Sequence, residues 1–235
     1  MNRPQLFLLH FAGGNSYSFG LLTSVLKEFQ TFSPELPGRG KRFHEDLLHD
    51  FDLAAADIYK QISRQISSDR FIIYGHSMGA YLALRVTNML EKTGRRPAYL
   101  VVSGNAGPAV SNRKSVHTLA EKEFIQELES LGGMPVELKE NRELYELFEP
   151  ILRADFEVVE KRKMEHEPPV SVPLYAIMGS QEEDAGKIAS WGKFTRSEFN
   201  YEILEGDHFF IHKHPQRMAD IIRECYRKSA FIPNK

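Results

Sequence analysis

Residues 70–86 read Arg70-Phe71-Ile72-Ile73-Tyr74, then Gly75-His76-Ser77-Met78-Gly79, then Ala80-Tyr81-Leu82-Ala83-Leu84-Arg85-Val86. The first run is apolar and strand-like, and the last is a glycine-free run with helical character. A G-x-S-x-G pentapeptide between a strand and a helix is typical of a sharp turn that exposes its serine above a sheet. The alternative interpretation is a glycine-rich turn without chemistry, which the flanking strand and helix patterns disfavour. The segment therefore predicts that Ser77 is a nucleophile.

Size and composition indicate a single domain, residues 1–235. The chain of 235 residues is 42% hydrophobic and carries a net charge of −2 from 30 basic and 32 acidic side chains, a balance unsuited to nucleic-acid binding. The lone cysteine, Cys225, excludes an intrachain disulfide and a zinc site built mainly from cysteines. No signal peptide or membrane-length apolar run is evident. We expect a monomeric, cytoplasmic protein that binds neither nucleic acid nor membrane.

Strand-like and helix-like runs alternate through most of the chain. The strand-like runs are 5–11, 31–36, 70–74, 98–103, 172–178 and 199–204, and the helix-like runs are 16–29, 53–66, 78–92, 185–194 and 215–227. This alternation predicts an α/β fold with a mostly parallel central sheet and helices on both faces. An insertion at about 109–168 interrupts it, because Val116 to about His166 is wholly helical and has more apolar positions than one helix face needs. We predict a helical lid over a pocket rather than plain packing on the sheet.

A serine hydroxyl needs a base to take its proton and an acid to orient that base. Among the nine histidines, His208 alone directly follows a late strand-like run, at the edge where the carboxyl ends of parallel strands gather. His10, His76, His212 and His214 are weaker candidates, and ordinary packing or solvation explains them. We therefore predict that His208 is the base.

The acid is expected between the serine and the histidine in chain order, at the end of a strand. The segment Gly179-Ser180-Gln181-Glu182-Glu183-Asp184 follows the strand-like run 172–178 and offers three carboxylates, whereas the loop after 98–103 offers none. The position of the acid is thus better defined than its identity. Asp207, next to the histidine, is predicted to shape the loop.

Acyl transfer also needs two N–H donors for the oxyanion of the tetrahedral intermediate. One usually belongs to the residue after the nucleophile, here Met78, and the other to the loop after the first core strand. That loop is Phe11-Ala12-Gly13-Gly14, whose glycines let the backbone approach a substrate closely. Ala12 is the first choice for the second donor and Phe11 the fallback. This chemistry requires no metal or cofactor, and we expect none.

Five segments form a combination that generic esterases do not share. They are Leu9-His10-Phe11-Ala12-Gly13-Gly14, Leu36-Pro37-Gly38-Arg39-Gly40, Gly75-His76-Ser77-Met78-Gly79, Leu152-Arg153-Ala154-Asp155-Phe156 and Gly206-Asp207-His208-Phe209-Phe210. Together they resemble the type II thioesterases of polyketide and nonribosomal peptide biosynthesis, nearly end to end. The resemblance implies an α/β-hydrolase fold and a stand-alone enzyme that hydrolyses thioesters on the phosphopantetheine arm of acyl or peptidyl carrier proteins, clearing stalled or misprimed acyl groups.

Two positions depart from that family's pattern. The family usually has an aspartate three residues after the glycine that ends the sixth core strand, where this chain has Glu182. Any carboxylate within reach can hold the imidazolium, so Glu182 is placed ahead of Asp184, which a shifted loop would present instead. The family also tends to begin its first loop with Pro-Tyr or Pro-Phe, whereas His10-Phe11 puts a polar group near the pocket.

Other functions share parts of this pattern. A broad-specificity esterase or lipase would use the same triad on oxygen esters, and a medium-chain thioesterase would release fatty acids from a fatty acid synthase. A carrier-protein binding module without activity would not need the serine, histidine and carboxylates together. Arg39 and Lys161-Arg162-Lys163 are candidates for contact with an acidic carrier protein or a phosphate, although charged runs on helices are usually solvated.

Overall fold

The computed structural model describes residues 3–110, 115–134, 136–164 and 166–231, which are built around an all-parallel sheet. The strands are β1 (Gln5–Leu9), β2 (Gln30–Phe32), β3 (Phe71–His76), β4 (Tyr99–Ser103), β5 (Leu174–Gly179) and β6 (Phe199–Leu204), in the spatial order β2-β1-β3-β4-β5-β6. The chain goes from β1 to β2 on one side and returns to β3 on the other, so β1 and β3 flank a topological switch point. A ligand crevice is expected outside the carboxyl ends of these two strands.

Helices cover both faces of the sheet. The α-helices are α1 (Gly20–Val25), α2 (Phe51–Gln65), α3 (Met78–Lys92), α4 (Glu121–Ser130), α5 (Val136–Glu140), α6 (Arg142–Glu160), α7 (Phe210–Lys213) and α8 (Pro215–Lys228), and 3₁₀ helices span Gly40–Arg42, Val116–Thr118, Ala185–Phe194 and Ser229–Phe231. Helices α2 and α3 pack on one face with Phe7 and Ile73, and α1 and α8 pack on the other with Leu8 and Ile72. Alternate side chains of β1, β3, β4 and β5 enter opposite cores, which explains why these strands are apolar on both sides. The predicted α/β architecture is confirmed.

Two elements are much shorter than predicted, and the strand expected over 5–11 ends at Leu9. The helix expected over 16–29 is limited to α1, because Asn15 N–H donates to Ser18 Oγ and Tyr17 N–H to the Asn15 side chain in a local turn. The strand expected over 31–36 ends at Phe32, since Pro34 cannot donate to a sheet.

The segment between β4 and β5 contains α4, α5 and α6 and has its own apolar core, which includes Phe124, Leu128 and Leu152. The Arg153 guanidinium lies 4.2 Å from the centre of the Phe124 ring and donates to the carbonyls of His117 and Leu119. These contacts join α6 to the beginning of the segment. Of the predicted domain 1–235 and insertion 109–168, residues 1–2, 111–114, 135, 165 and 232–235 lie outside the described residues.

Candidate active site

Ser77 lies in the turn between β3 and α3 and has an unusual backbone conformation. With φ of 55° and ψ of −116°, it is the one non-glycine residue with positive φ in the described part of the chain. Such a conformation is strained, and it persists where surrounding structure over-determines it. The Ser77 N–H donates to the Ser103 carbonyl at 2.7 Å, and its own carbonyl accepts from Asn105 Nδ2 at 2.9 Å. Strand β4 and the loop after it therefore hold the turn on both sides of the serine.

Close backbone approach explains both glycines of the pentapeptide. A Cβ on Gly75 would lie within 3.0 Å of the Gly79 carbonyl, and a Cβ on Gly79 would lie within 3.0 Å of the carbonyls of Leu9 and His10. A clash with backbone cannot be relieved by moving a side chain. The first turn of α3 therefore packs directly against the end of β1, which brings the loop after β1 to the serine.

A buried chain of hydrogen bonds supports the turn from inside the protein. His76 Nδ1 lies 2.8 Å from Ser103 Oγ, which lies 2.7 Å from the Tyr74 hydroxyl. Burial holds the pKa of His76 well below its usual value, and the proximity of His208 and His212 acts in the same direction. The neutral His76 ring lies 5.1 Å from the His208 ring, measured between centroids. His208 is thus adjacent to the turn that carries the serine.

His208 follows β6 in the chain and is paired with Glu182, which follows β5. The His208 Nδ1–H donates to Glu182 Oε2 at 2.7 Å, and both side chains are largely buried. The other carboxylate oxygen, Oε1, accepts from the Gly179 N–H at 2.7 Å. Asp184 instead pairs with Lys187 at 2.7 Å. Of the carboxylates in the predicted segment, the structure brings Glu182 to the histidine.

Asp207 organises the loop that carries the histidine. Its Oδ1 accepts from the Phe209 N–H at 2.9 Å, and its Oδ2 pairs with Lys213 at 2.9 Å. The turn between α4 and α5 lies against the same loop, because a Cβ on Gly133 would be 3.0 Å from the Phe209 ring. Part of the helical segment between β4 and β5 therefore covers the histidine loop.

The loop after β1 forms a tight turn. The Gly14 N–H donates to the Phe11 carbonyl at 2.9 Å, and Gly13 has a φ of 74°. Positive φ at the third position of such a turn favours glycine. A Cβ on Gly13 would also overlap the Leu152 side chain of α6, so this helix packs closely on the turn.

The two predicted oxyanion donors are both available in this arrangement. The N–H groups of Gly13 and Gly14 are engaged within the protein, the former by Asp155 Oδ2 at 2.7 Å. Within the described ranges, neither the Ala12 N–H nor the Met78 N–H has a protein acceptor. The Met78 N–H is free because it begins α3, where the first N–H groups have no partner inside the helix.

A buried ion pair that the sequence analysis did not identify joins three segments beside this loop. Arg39 Nη1 and Nη2 lie 2.6 and 2.8 Å from the two carboxylate oxygens of Asp155, and the side chains are 5% and 1% exposed. Asp155 also accepts from Gly13, and Arg39 Nη1 donates to the Gly14 carbonyl at 3.3 Å. The hypothesis that Arg39 contacts a carrier protein or phosphate is wrong, because its guanidinium is buried and committed to Asp155.

The groups around Ser77 are thus an imidazole, a carboxylate and backbone N–H groups. Among the residues that the structure describes, no cluster of three or more His, Cys, Asp or Glu side chains is arranged to hold a metal ion. A search of the same residues finds no helix with the length and apolarity to cross a membrane.

The family model of the thioesterase domain matches residues 4–227, nearly the whole chain. The chain belongs to the thioesterase family. It is therefore a hydrolase of thioesters, and the resemblance predicted from the five sequence segments is confirmed.

Individual relatives agree with the family on the fold. ClbQ, from the colibactin NRPS/PKS pathway, is 26% identical with a TM-score of 0.89, covering 99% of this chain and 100% of that one. YbtT, a type II thioesterase from the yersiniabactin NRPS/PKS pathway, is 28% identical with a TM-score of 0.87, covering 97% and 94%. These similarities confirm the predicted α/β-hydrolase fold.

A third relative has a name that points to other chemistry. Linear gramicidin dehydrogenase LgrE of Brevibacillus parabrevis is 31% identical over 232 residues, covering 92% of this chain and 85% of that protein. The activity in that name is said of LgrE and assigns none to this chain. The similarity to LgrE therefore supports membership of the family and carries no redox activity to this chain.

Proposed function

We propose that this chain hydrolyses acyl thioesters carried on the phosphopantetheine arm of acyl or peptidyl carrier proteins, removing stalled or misprimed acyl groups. The proposal is carried by the 2.7 Å hydrogen bond between His208 and Glu182 beside the strained turn at Ser77, in a chain that the thioesterase model matches over 4–227. The origin of ClbQ and YbtT in NRPS/PKS pathways supports a substrate of this class.

In the first half of the reaction, His208 takes the proton of the Ser77 hydroxyl as its oxygen attacks the thioester carbonyl. Glu182 holds the imidazole in the tautomer with hydrogen on Nδ1 and stabilises the cation that forms. The N–H groups of Met78 and Ala12 donate to the oxyanion. The carbon–sulfur bond then breaks, and His208 gives its proton to the departing pantetheine thiolate.

The second half releases the acyl group from the enzyme. A water molecule gives a proton to His208 and attacks the acyl-Ser77 ester, and the oxyanion is held by the same donors. The ester bond breaks, the acyl group leaves as a carboxylic acid, and the proton on His208 returns to the serine oxygen. No atom changes its oxidation state in these steps, so the reaction needs no redox cofactor, and no metal is proposed.

The helical segment between β4 and β5 fits the role of a lid in this proposal. Its α6 packs Leu152 on the turn at Gly13, and its α4–α5 turn lies on Phe209 beside the histidine. An acyl chain on Ser77 would meet apolar side chains of this segment. The segment would restrict the access of water to the site, and water would enter for the deacylation step.

We expect the enzyme to act as a monomer in the cytoplasm, alongside the synthase that supplies its substrate.

The proposal is tested with an acyl-loaded carrier protein. The measured quantity is the rate at which hydrolysis frees the thiol of its phosphopantetheine arm. The variants are Ser77→Ala and, as a matched control, Ser24→Ala, whose exposed hydroxyl donates to the Leu21 carbonyl of its own helix. The same acyl group is offered as an oxygen ester, and thioesters of short and medium chains are compared. We expect Ser77→Ala to lose about a thousandfold or more in rate and Ser24→Ala to match the wild type.

Three results would contradict the proposal, each in a different way. A wild-type rate in Ser77→Ala would show that Ser77 is not the nucleophile. Equal rates on the thioester and the oxygen ester would indicate a broad-specificity esterase. A preference confined to medium-chain acyl groups would indicate fatty acid release rather than the removal of misprimed groups.

A further inference from the structure

The direction of the Ala12 N–H depends on the Phe11 carbonyl, which belongs to the same peptide group. A trans peptide is planar, so this N–H points away from the Phe11 carbonyl oxygen. That oxygen accepts two hydrogen bonds at 2.9 Å, one from the Gly14 N–H and one from His10 Nδ1. Rotation of the Phe11–Ala12 peptide group would break both hydrogen bonds. One of the two donors is a side chain, that of His10.

The ring of His10 has a defined protonation state in this contact. A carbonyl oxygen can only accept, so Nδ1 carries the hydrogen. His10 is 2% exposed, and its Nε2 has no hydrogen-bond partner among the described residues, so a hydrogen on Nε2 would be buried without an acceptor. Burial first, and then the positive charge of Arg39, lower the pKa of His10 to about 4. His10 is therefore a neutral Nδ1–H donor at pH 7.

The two peptide groups on either side of Ala12 are held by different means. The peptide between Ala12 and Gly13 is anchored from α6, because the Gly13 N–H donates to Asp155 at 2.7 Å. The peptide between Phe11 and Ala12 is held only from within the loop, by Gly14 and His10, in the part of the chain that the structure describes. The His10 side chain thus restrains the peptide group that no other described element reaches.

We propose that His10 is a positioning residue for thioester hydrolysis, because its Nδ1–H fixes the Phe11 carbonyl and so aims the Ala12 N–H at the oxyanion. The inference rests on the proposed function, in which Ala12 is an oxyanion donor and Ser77 the nucleophile. An oxyanion donor contributes only when it points at the position where negative charge develops. His10 acts here through the peptide and does not touch the substrate.

The test compares three variants of His10 in the full chain. His10→Phe keeps a planar ring and removes the donor, His10→Asn keeps an N–H close to the position of Nδ1, and His10→Gln moves its amide to the position of Nε2. His44→Asn, on an exposed histidine, is the matched control. The readouts are kcat and KM on an acyl-loaded carrier protein, the inhibition constant of a trifluoromethyl ketone analogue that forms a tetrahedral adduct with the serine, and the thermal midpoint.

We expect His10→Phe and His10→Gln to lower kcat by about 10- to 100-fold with little change in KM. Binding of the trifluoromethyl ketone should weaken by the same factor, since the analogue resembles the transition state. His10→Asn should recover most of the activity, and His44→Asn should match the wild type.

Wild-type kcat in His10→Phe, or equal losses in His10→Asn and His10→Gln, would overturn the role of His10. The Asn and Gln variants keep the test decisive if His10→Phe does not fold. These outcomes are distinct from failure of the proposed function, which would appear as wild-type activity in Ser77→Ala whatever stands at position 10.

Discussion

The carboxylate of Glu182 has two partners that keep it in one orientation. Oε1 accepts from the Gly179 N–H at the end of β5, and Oε2 accepts from His208. A glutamate is one methylene longer than the aspartate usual at this position of the family, so its side chain has one more rotatable bond. The hydrogen bond from the Gly179 N–H limits the rotation of this longer side chain. This arrangement gives a flexible side chain the fixed geometry that an acid of the triad requires.

Replacing Glu182 with Gln should lower kcat on a carrier-bound thioester by about a thousandfold or more, because an amide N–H facing His208 Nδ1 favours the wrong tautomer. Asp184→Asn should stay within about twofold, since Asp184 pairs with Lys187 on the surface of the same loop. Steady-state kinetics of the two variants check this prediction. Loss of activity in Asp184→Asn, with Glu182→Gln unaffected, would assign the acid to the other carboxylate.

The buried ring of His10 also has a measurable effect on stability. Its pKa falls from 6.5 to about 4 on folding, so the unfolded chain binds more protons between these pH values and the free energy of unfolding decreases as the pH falls through them. Burial and Arg39 lower this pKa, while Asp155 and Glu35, which also face the ring, oppose them. At pH 5 the decrease due to His10 is about 2 kcal/mol.

The free energy of unfolding of His10→Asn should therefore fall less than that of the wild type between pH 7.5 and pH 5, by about 2 kcal/mol. Urea titrations of both proteins at the two pH values measure the difference. Because His76 is buried and titrates in the same direction in both proteins, its effect cancels. Parallel pH profiles would show that His10 is not held neutral by the fold.

Helix α6 links the helical segment between β4 and β5 to the loop after β1. Asp155 accepts from Gly13 and pairs with Arg39, and Leu152 packs on the same turn. A buried charge is stable when its partner and hydrogen bonds are present and costly when one partner is removed. The ion pair therefore makes the geometry of the loop depend on a helix that is far away in sequence.

Asp155→Ala should lower the free energy of unfolding by about 3–5 kcal/mol, because it leaves the Arg39 guanidinium buried without its carboxylate. The double variant Arg39→Met with Asp155→Leu should be less destabilised than Asp155→Ala alone. An exposed pair serves as control, and Glu146→Ala, which removes a partner of Arg142, should change stability by less than about 1 kcal/mol. Urea unfolding measures all three, and a cost for Asp155→Ala as small as that for Glu146→Ala would contradict this account.

Much of the fold follows from local sequence patterns. Strands β1, β3, β4 and β5 are buried on both faces and so appear as continuous apolar runs, and β6 and α3 begin and end where their patterns predict. The turn at Ser77 could be predicted because both glycines are required by close backbone approach. These features depend on residues near one another in the chain.

Features that depend on packing between elements, or on the exact geometry of a loop, could not be predicted from local patterns. Arg39 and Asp155 are 116 positions apart, and a charged residue in a loop or on a helix gives no local sign of a buried partner. The hydrogen bond from His10 to Phe11 depends on a turn closed by Gly14, and the choice of Glu182 over Asp184 depends on how the loop after β5 folds. For the ion pair and for the acid of the triad, packing between separate elements decided the outcome.

The enzyme as a whole is expected to pass the acyl group from the carrier protein to the serine before water releases it. Mixing the protein with an acyl-loaded carrier protein, quenching within the first turnover and digesting with trypsin isolates the peptide 71–85, which contains Ser77. Mass spectrometry should find the mass of the acyl group on this peptide in the wild type and not in Ser77→Ala. Rapid hydrolysis with no acylated peptide 71–85, accompanied by wild-type turnover in Ser77→Ala, would contradict the assignment of this serine as the acyl acceptor.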